Sequence, residues 1–284
     1  MPFSVLILTL NEAATLPRLL DRLEGISDDI IVLDSQSSDE TREIAGARGC
    51  RVFVRPFDSE LSQRAFGNTL PFRHPWVYNP DADELPDARL IAEMLRAAKP
   101  ENRVAAYEVR FRNYLNDRWI RYSTDYPVWV VRLFRPECLS FSREVNLRYT
   151  VKGPVGRLEG HFEHFPFAKG LDWWITKHSH YSDKEAQEAL KVIGTSHLRQ
   201  ALANVMAARS SKERRIALKE VSFFLPFRGT LRFFYSYLFR LGFMDGPAGL
   251  KYSALIALYE FMIAAKIRAR RERPPLSLPP QETE

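Results

Sequence analysis

Asp81 and Asp83, one residue apart in Asp81-Ala82-Asp83-Glu84, are the side chains of this sequence best suited to chemistry. Two carboxylates on one short loop offer hard oxygen ligands to a divalent cation, Mg²⁺ or Mn²⁺, and leave positions that diphosphate oxygens can fill. A metal held there would neutralise the charge developing on a departing nucleoside diphosphate. Acidic triplets are also common at helix N-termini and in solvated loops, so the surroundings decide. Trp76-Val77-Tyr78 reads as a strand just before the triplet, and Leu85-Pro86-Asp87 as a turn into a helix. Two further polar clusters, Thr9-Leu10-Asn11-Glu12 and Asp34-Ser35, also follow short apolar runs.

Those runs belong to a repeating strand and helix pattern. Residues 5–8 are apolar and strand-like, and Leu16, Leu19, Leu20 and Leu23 follow at the spacing of one helix face. Residues 30–33 give a second strand, after which Ser37 and Glu40 have capping-box spacing for a helix that Gly49 ends. A strand over 51–54, a helix over 63–70 and the strand at Trp76 complete the pattern of a βαβ sheet. Ligands bind such an open parallel sheet at the C-terminal strand ends, which is where the three polar clusters fall. Between 104 and 165, strand-like stretches (104–111, 128–134) alternate with aromatic and basic loops, the place for substrate-specific decoration. From Asp183 onward the pattern is mostly helical.

At 284 residues, with 45% hydrophobic side chains, the chain describes a globular protein with one main domain and an extension. Cys50 and Cys138 are the only cysteines, so neither a disulfide framework nor a cysteine zinc site is available, and a reducing cytosol is expected. The N-terminal apolar run ends at Thr9 without a basic leader or cleavage site and reads as a first strand. The net charge of +6 hides an asymmetry: residues 191–273 hold 16 Lys/Arg against 5 Asp/Glu.

Residues 223–240 are strongly aromatic, yet an Arg interrupts them every few positions, and no run is expected to reach the roughly 20 apolar residues of a spanning helix. This pattern suits a helix lying in the headgroup plane against anionic lipid, with Arg268, Arg270, Arg271 and Arg273 as a basic flank. A core helix with snorkelling arginines, or a dimer interface, would read similarly. Nucleic acid could use the same charge, but no recognition motif accompanies it, so no nucleic-acid partner is expected. The division expected is a catalytic domain over 1–180 (halves 1–100 and 101–180), a helical basic-aromatic extension over 181–273, and a disordered proline-containing tail over 274–284.

Taken together, residues 5–12, 30–41, Gln63-Arg64 and Asp81-Ala82-Asp83-Glu84 resemble the family-2 glycosyltransferases of the GT-A fold. The resemblance is greatest to the bacterial branch that includes lipopolysaccharide-core β-glucosyltransferases, and Gly242-Phe243-Met244-Asp245-Gly246-Pro247-Ala248-Gly249 matches a late motif of that branch. It implies an α/β fold with a mixed sheet flanked by helices. It also implies inverting, metal-dependent transfer of a sugar from a nucleotide donor to an acceptor hydroxyl. By family position Thr9, Asn11, Glu12 and Asp34 would line the nucleoside pocket, Gln63 and Arg64 would approach base or phosphates, and Asp81 and Asp83 would hold ribose and metal. Ser35 stands where many members carry a second Asp for the base.

An inverting transfer needs a general base to take the acceptor proton. Glu144, beside Arg143, falls at the branch's usual base position, with Asp125 as the second candidate. His164 falls at a recurring His position and is expected as third metal ligand or diphosphate donor, against the plainer reading of a packed core histidine. Arg132 and Arg135 would hold donor diphosphate or an anionic acceptor through forked contacts, and Trp119, Trp129, Tyr114 and Tyr126 offer flat faces to sugar rings. The resulting expectation is hexose transfer, from UDP-glucose, to a lipid-linked, lipopolysaccharide or exopolysaccharide acceptor at the cytoplasmic face of a bacterial membrane. A nucleotidyltransferase is disfavoured because Leu10-Asn11-Glu12-Ala13 replaces a Gly-rich basic phosphate loop. A non-catalytic glycan- or lipid-binding protein on the same fold stays open, as does a homo-oligomer.

Overall fold

In the computed structural model, which describes residues 1–115, 117–142, 148–195, 197–209, 211–225 and 227–272, the chain divides into two compact units, Met1–Gly170 and Leu171–Glu284. The first begins with β1 (Ser4–Thr9), α1 (Leu16–Leu23), β2 (Ile30–Asp34), α2 (Thr41–Ala47), β3 (Arg51–Val54), α3 (Glu60–Gly67) and β4 (Val77–Tyr78). These four strands pair in parallel in the order β3-β2-β1-β4. Alternation along β1 sends Val5 and Ile7 to one face and Leu6 to the other. The four α1 leucines pack with Val5 and Ile7, as their spacing dictates, and each contributes about 2 kcal/mol of apolar burial.

The chain continues through β5 (Glu84–Pro86), α4 (Ala88–Ala97), β6 (Ala106–Leu115), β7 (Arg118–Ile120), β8 (Trp129–Phe134), β9 (Leu139–Ser142), β10 (Arg148–Val151) and β11 (Val155–His164). The sheet extends as β4-β8-β6-β11-β5, with β8 antiparallel to both neighbours, β11 parallel to β6, and β7 hydrogen-bonded to β6. β9 and β10 form a separate hairpin. After β3 the chain crosses to the other side of β1, so strand order reverses between β1 and β4 and opens a crevice at their C-terminal ends. Thr9 lies in register with Asp34, and Leu8 bridges to Asp81, so the three polar clusters of the sequence meet there.

Gly160 lets β11 pass the start of α4: a Cβ there would stand 2.4 Å from the Leu90 nitrogen. Its own N–H donates to Glu93 Oε2 at 2.9 Å. Gly160→Ala is expected to cost about 3 kcal/mol through this backbone clash, read as a lower urea midpoint at unchanged slope.

Local details depart from the sequence reading for identifiable reasons. The Ser37/Glu40 capping box does not form, because the Ser37 hydroxyl turns back to Asp34 and α2 starts at Thr41. The helix expected over 63–70 starts earlier, since Ser59 caps it by accepting from the Ser62 N–H at 3.1 Å. Leu85-Pro86 is not a turn but part of β5, an edge strand of the sheet that tolerates proline.

The second unit contains α5 (Leu171–Thr195), α6 (Leu198–Ala207), α7 (Ser211–Ser222), α8 (Arg228–Phe234) and α9 (Gly246–Glu272). A π-helical turn, Tyr235–Phe239, and a 3₁₀ turn, Gly242–Asp245, link the last two, and Gly246 enters α9 at φ +64°. Ala186, Ala189, Ile263 and Ile267 form its core. The domain boundary expected at residue 180 falls inside α5. Beyond the 223–240 stretch, one helical run, Gly242–Glu272, is long and apolar enough to cross a membrane by length and composition. The tail over 274–284 and Arg273 lie outside the described residues.

Candidate active site

The β1–α1 and β2–α2 loops are stitched together around Asp34, which is fully buried. Its carboxylate accepts from Thr9 Oγ1 at 2.8 Å, from the Ser37 N–H at 2.8 Å and from Ser37 Oγ at 2.5 Å. Asn11 turns the first loop in the left-handed region at φ +56°, a conformation its short amide side chain tolerates. Its N–H donates to Ser37 Oγ at 2.8 Å, while its Oδ1 accepts from the Ser38 N–H at 2.8 Å. Across the crevice Gln63 Nε2 donates to Ser35 Oγ at 3.1 Å, and Arg55 Nη1 orients Gln63 through its Oε1 at 2.5 Å.

Asp81 is braced by two buried arginines. Arg64 Nη2 reaches its Oδ1 at 2.9 Å, and Arg132 Nη2 reaches its Oδ2 at 3.0 Å. Arg132 also takes Glu84 in a fork, at 2.8 Å from Nε and 2.6 Å from Nη2. Asn79, which sequence reading passed over, accepts from Arg64 at 3.1 Å and anchors itself to the Leu6 carbonyl at 2.7 Å. Burial pushes the Asp81 carboxyl up, but Arg132 and Arg64 outweigh it and hold the group well below the usual carboxylate range. At Glu84 burial prevails over Arg132 and, with Asp81 adding to it, lifts the carboxyl to about 7. Arg132, expected on donor phosphate, thus supports the acidic loop from within. Arg135 is tied elsewhere, donating to the carbonyls of Pro100 and Asn102 at 2.8 and 3.0 Å and lying over Trp76.

Asp83 and His164 face each other, with Oδ2 3.5 Å from Nε2. The pairing of β11 with β6 sets His164 opposite Asn113, whose Oδ1 lies 2.7 Å from His164 Nδ1. With Nδ1–H donating to that amide oxygen, the Nε2 lone pair is turned to Asp83, the orientation a metal-binding imidazole needs. Burial opposes protonation of His164, but Asp83, aided by Glu84 and Asp81, raises its pKa in balance. A carboxylate oxygen with an imidazole nitrogen fits a divalent cation, Mn²⁺ better than Mg²⁺, with the other positions left for water or diphosphate oxygens. Among the described residues no three His, Cys, Asp or Glu side chains group as a metal set. Both carboxylate oxygens of Asp81 are on arginines.

Lys169 gave no signal in the sequence. Its Nζ donates to Glu12 Oε1 at 2.5 Å and to the Leu10 carbonyl at 3.0 Å, while Thr15 Oγ1 donates to the other Glu12 oxygen at 2.6 Å. Burial raises the Glu12 pKa against the pull of Lys169, and the charge of Asp83 adds to the rise. Glu12 and Asp83 therefore share one field.

Asp125 is exposed in the β7–β8 connection, next to buried Ser123 and Thr124. Glu144 and Arg143 lie outside the described residues. Of the aromatic candidates, Tyr114 stacks on Phe165 at 5.2 Å, one residue from His164. Trp119 meets Tyr126 edge-on and carries the Arg112 guanidinium at 4.4 Å, and Trp129 lies under Arg157 at 4.8 Å.

Residues 4–163 match the family description Glycosyl transferase family 2. An uncharacterized glycosyltransferase of Rickettsia bellii is 32% identical over 146 residues, which cover 50% of this chain and 49% of that protein. One from Rickettsia felis is 28% identical over 201 residues, 66% of this chain and 70% of its own length. The chain thus spans about half the length of the first of these relatives and more of the second. Among solved structures, glucosyl-3-phosphoglycerate synthase from Mycobacterium tuberculosis with Mn²⁺ and UDP-glucose covers 39% of this chain and 43% of its own, at 23% identity and a TM-score of 0.34. Matched over more than half its length, and folded as the mixed, helix-flanked sheet of the GT-A class, the chain belongs to glycosyl transferase family 2.

Proposed function

We propose that the protein is an inverting, metal-dependent glycosyltransferase that moves a hexose from a nucleoside diphosphate donor, UDP-glucose, to a hydroxyl of a lipid-linked, lipopolysaccharide or exopolysaccharide acceptor. It would work peripherally at the cytoplasmic face of a membrane. The observation that carries the chemistry is the Asp83–His164 pair, oriented by Asn113 and set beside the Thr9–Asp34 crevice at the strand-order reversal. The membrane part is supported by the apolar and basic C-terminal helices.

A divalent cation bound there supplies charge neutralisation for the leaving diphosphate. The chain's own residues do the rest. Thr9, Asn11, Asp34, Ser35 and Gln63 form the wall that receives the nucleoside. Arg64 and Arg132 hold the Asp81–Glu84 loop, so that Asp83 stays aimed at His164. Lys169 neutralises Glu12, which would otherwise repel a diphosphate. A carboxylate, Glu144 or Asp125, accepts the acceptor's hydroxyl proton as the new oxygen–carbon bond forms and the carbon–diphosphate bond breaks on the opposite face.

A thermal-shift series with UDP, GDP, CMP, dTDP and ADP, each with and without Mn²⁺, tests the reading. A ligand that binds only the folded chain at 100 times its Kd adds about 2.7 kcal/mol of stability. A rise in Tm with UDP that requires Mn²⁺ is expected. Equal melting with every nucleotide, with and without Mn²⁺, would overturn the donor assignment.

A further inference from the structure

Along α8, the connecting turns and the first part of α9, polar residues are buried and large apolar ones exposed, while the end of α9 keeps Ile263 and Ile267 in the core. Arg228, Ser236, Asp245 and Ser253 are buried, and Arg228 Nη2 donates to Glu260 Oε2 at 2.5 Å. The helices approach so closely that a Cβ on Gly229 would lie 2.7 Å from the Ala257 carbonyl oxygen. Outside, Phe227 and Phe239 are each 80% exposed, and Leu238, Phe243, Met244 and Phe261 are exposed with them. Only 17% of the most apolar stretch of the run Gly242–Glu272 is buried within the structure.

In water this distribution leaves a large apolar surface uncovered. In lipid it is the stable one, with small residues and paired ionisable groups facing each other and apolar side chains facing out. Charge identifies the kind of lipid. Residues 227–272 carry eight Lys/Arg and three Asp/Glu, and one of those acids, Glu260, is taken by buried Arg228. Lys251, Arg268 and Arg271 are exposed. A second copy seated on this face would bring the same cations together, whereas anionic headgroups complement them.

We propose that α8, the connecting turns and the exposed face of α9 seat in one leaflet of an anionic phospholipid bilayer, with Phe227 and Phe239 as the inserting side chains. This deepens the membrane part of the reading above and is independent of its donor and metal chemistry. α8 is too short to span; α9 is long and apolar enough by length and composition, but Lys251 and Glu260 interrupt it and its Ile263 and Ile267 are packed on Ala186 and Ala189 of α5, so the helices lie at the headgroup boundary.

Flotation of the full chain with phosphatidylcholine vesicles, with and without about 30% phosphatidylglycerol, tests it. The protein is expected to float with the anionic vesicles and about tenfold less with phosphatidylcholine alone. Phe227→Glu with Phe239→Glu is expected to lower flotation by about tenfold or more, with an unchanged circular dichroism spectrum, because both side chains are exposed. In Phe239→Trp the added emission should be quenched by brominated acyl chains. Three results would overturn the proposal: no flotation of the unaltered chain, equal flotation of the double variant, or a double variant that changes only the oligomeric state in sedimentation. None of these readouts uses donor binding or turnover, so a Mn²⁺-dependent nucleotide shift would stand even if flotation failed.

Discussion

Arg132→Met should destabilise the fold by about 4 kcal/mol, because removing one member of a buried ion pair leaves the other charge uncompensated. Arg132 is the counter-charge to both Glu84 and Asp81, and Glu84 is buried with its carboxyl already lifted to about 7. Without the guanidinium that carboxyl rises further and folds protonated, while Asp81 keeps only Arg64. Adding Glu84→Gln to Arg132→Met should recover about half of the loss, since the group left stranded is then neutral. A double-mutant cycle from urea melts measures this coupling. If Arg132 instead serves mainly donor phosphate, Arg132→Met will leave stability nearly unchanged and move only nucleotide affinity.

Asp83→Asn is expected to lower kcat by about 10³-fold or more, the scale on which loss of charge stabilisation at a transition state registers. The fold should be spared, because the replacement is nearly isosteric and Asp83 is half-buried with its side chain facing only His164 among the ion pairs described. Its carbonyl, which accepts from the Phe165 N–H at 3.0 Å, is untouched by the change. The Mn²⁺-dependent part of the UDP thermal shift should vanish with the activity, and UDP alone should bind as before. Retained turnover in the variant would remove the metal pair from the mechanism.

The sequence revealed elements whose determinants are local. The α1 leucine spacing, the apolar strands and the polar residues that end them all follow from nearest neighbours along the chain, and so did the position of the acidic triplet. Partners set by sheet order were not legible. That Arg132 would meet Glu84 depends on β8 lying beside β4, a pairing of strands about fifty residues apart. That Asn113 would orient His164 depends on the β6–β11 register, which shifts between Arg157 and His161. Lys169 reaches Glu12 across 157 positions, and nothing in the pattern around Lys169 announces it. Helix ends were misplaced where a side chain chose a tertiary partner over a cap, as Ser37 did with Asp34.

The hydrogen bonds that tie Asn11 to Ser37 and Ser38, and Asp34 to Thr9 and Ser37, lock the two loops to each other through the chain's own groups. If these loops form the nucleoside wall of the proposed function, that cross-linking prepays the ordering of the wall, and little conformational entropy would be lost when the donor docks. Association at this end should resemble a key entering a cut lock, with residence time governed by the diphosphate and its cation. A donor analogue that keeps the nucleoside but lacks the diphosphate would enter the same preorganised wall and leave quickly.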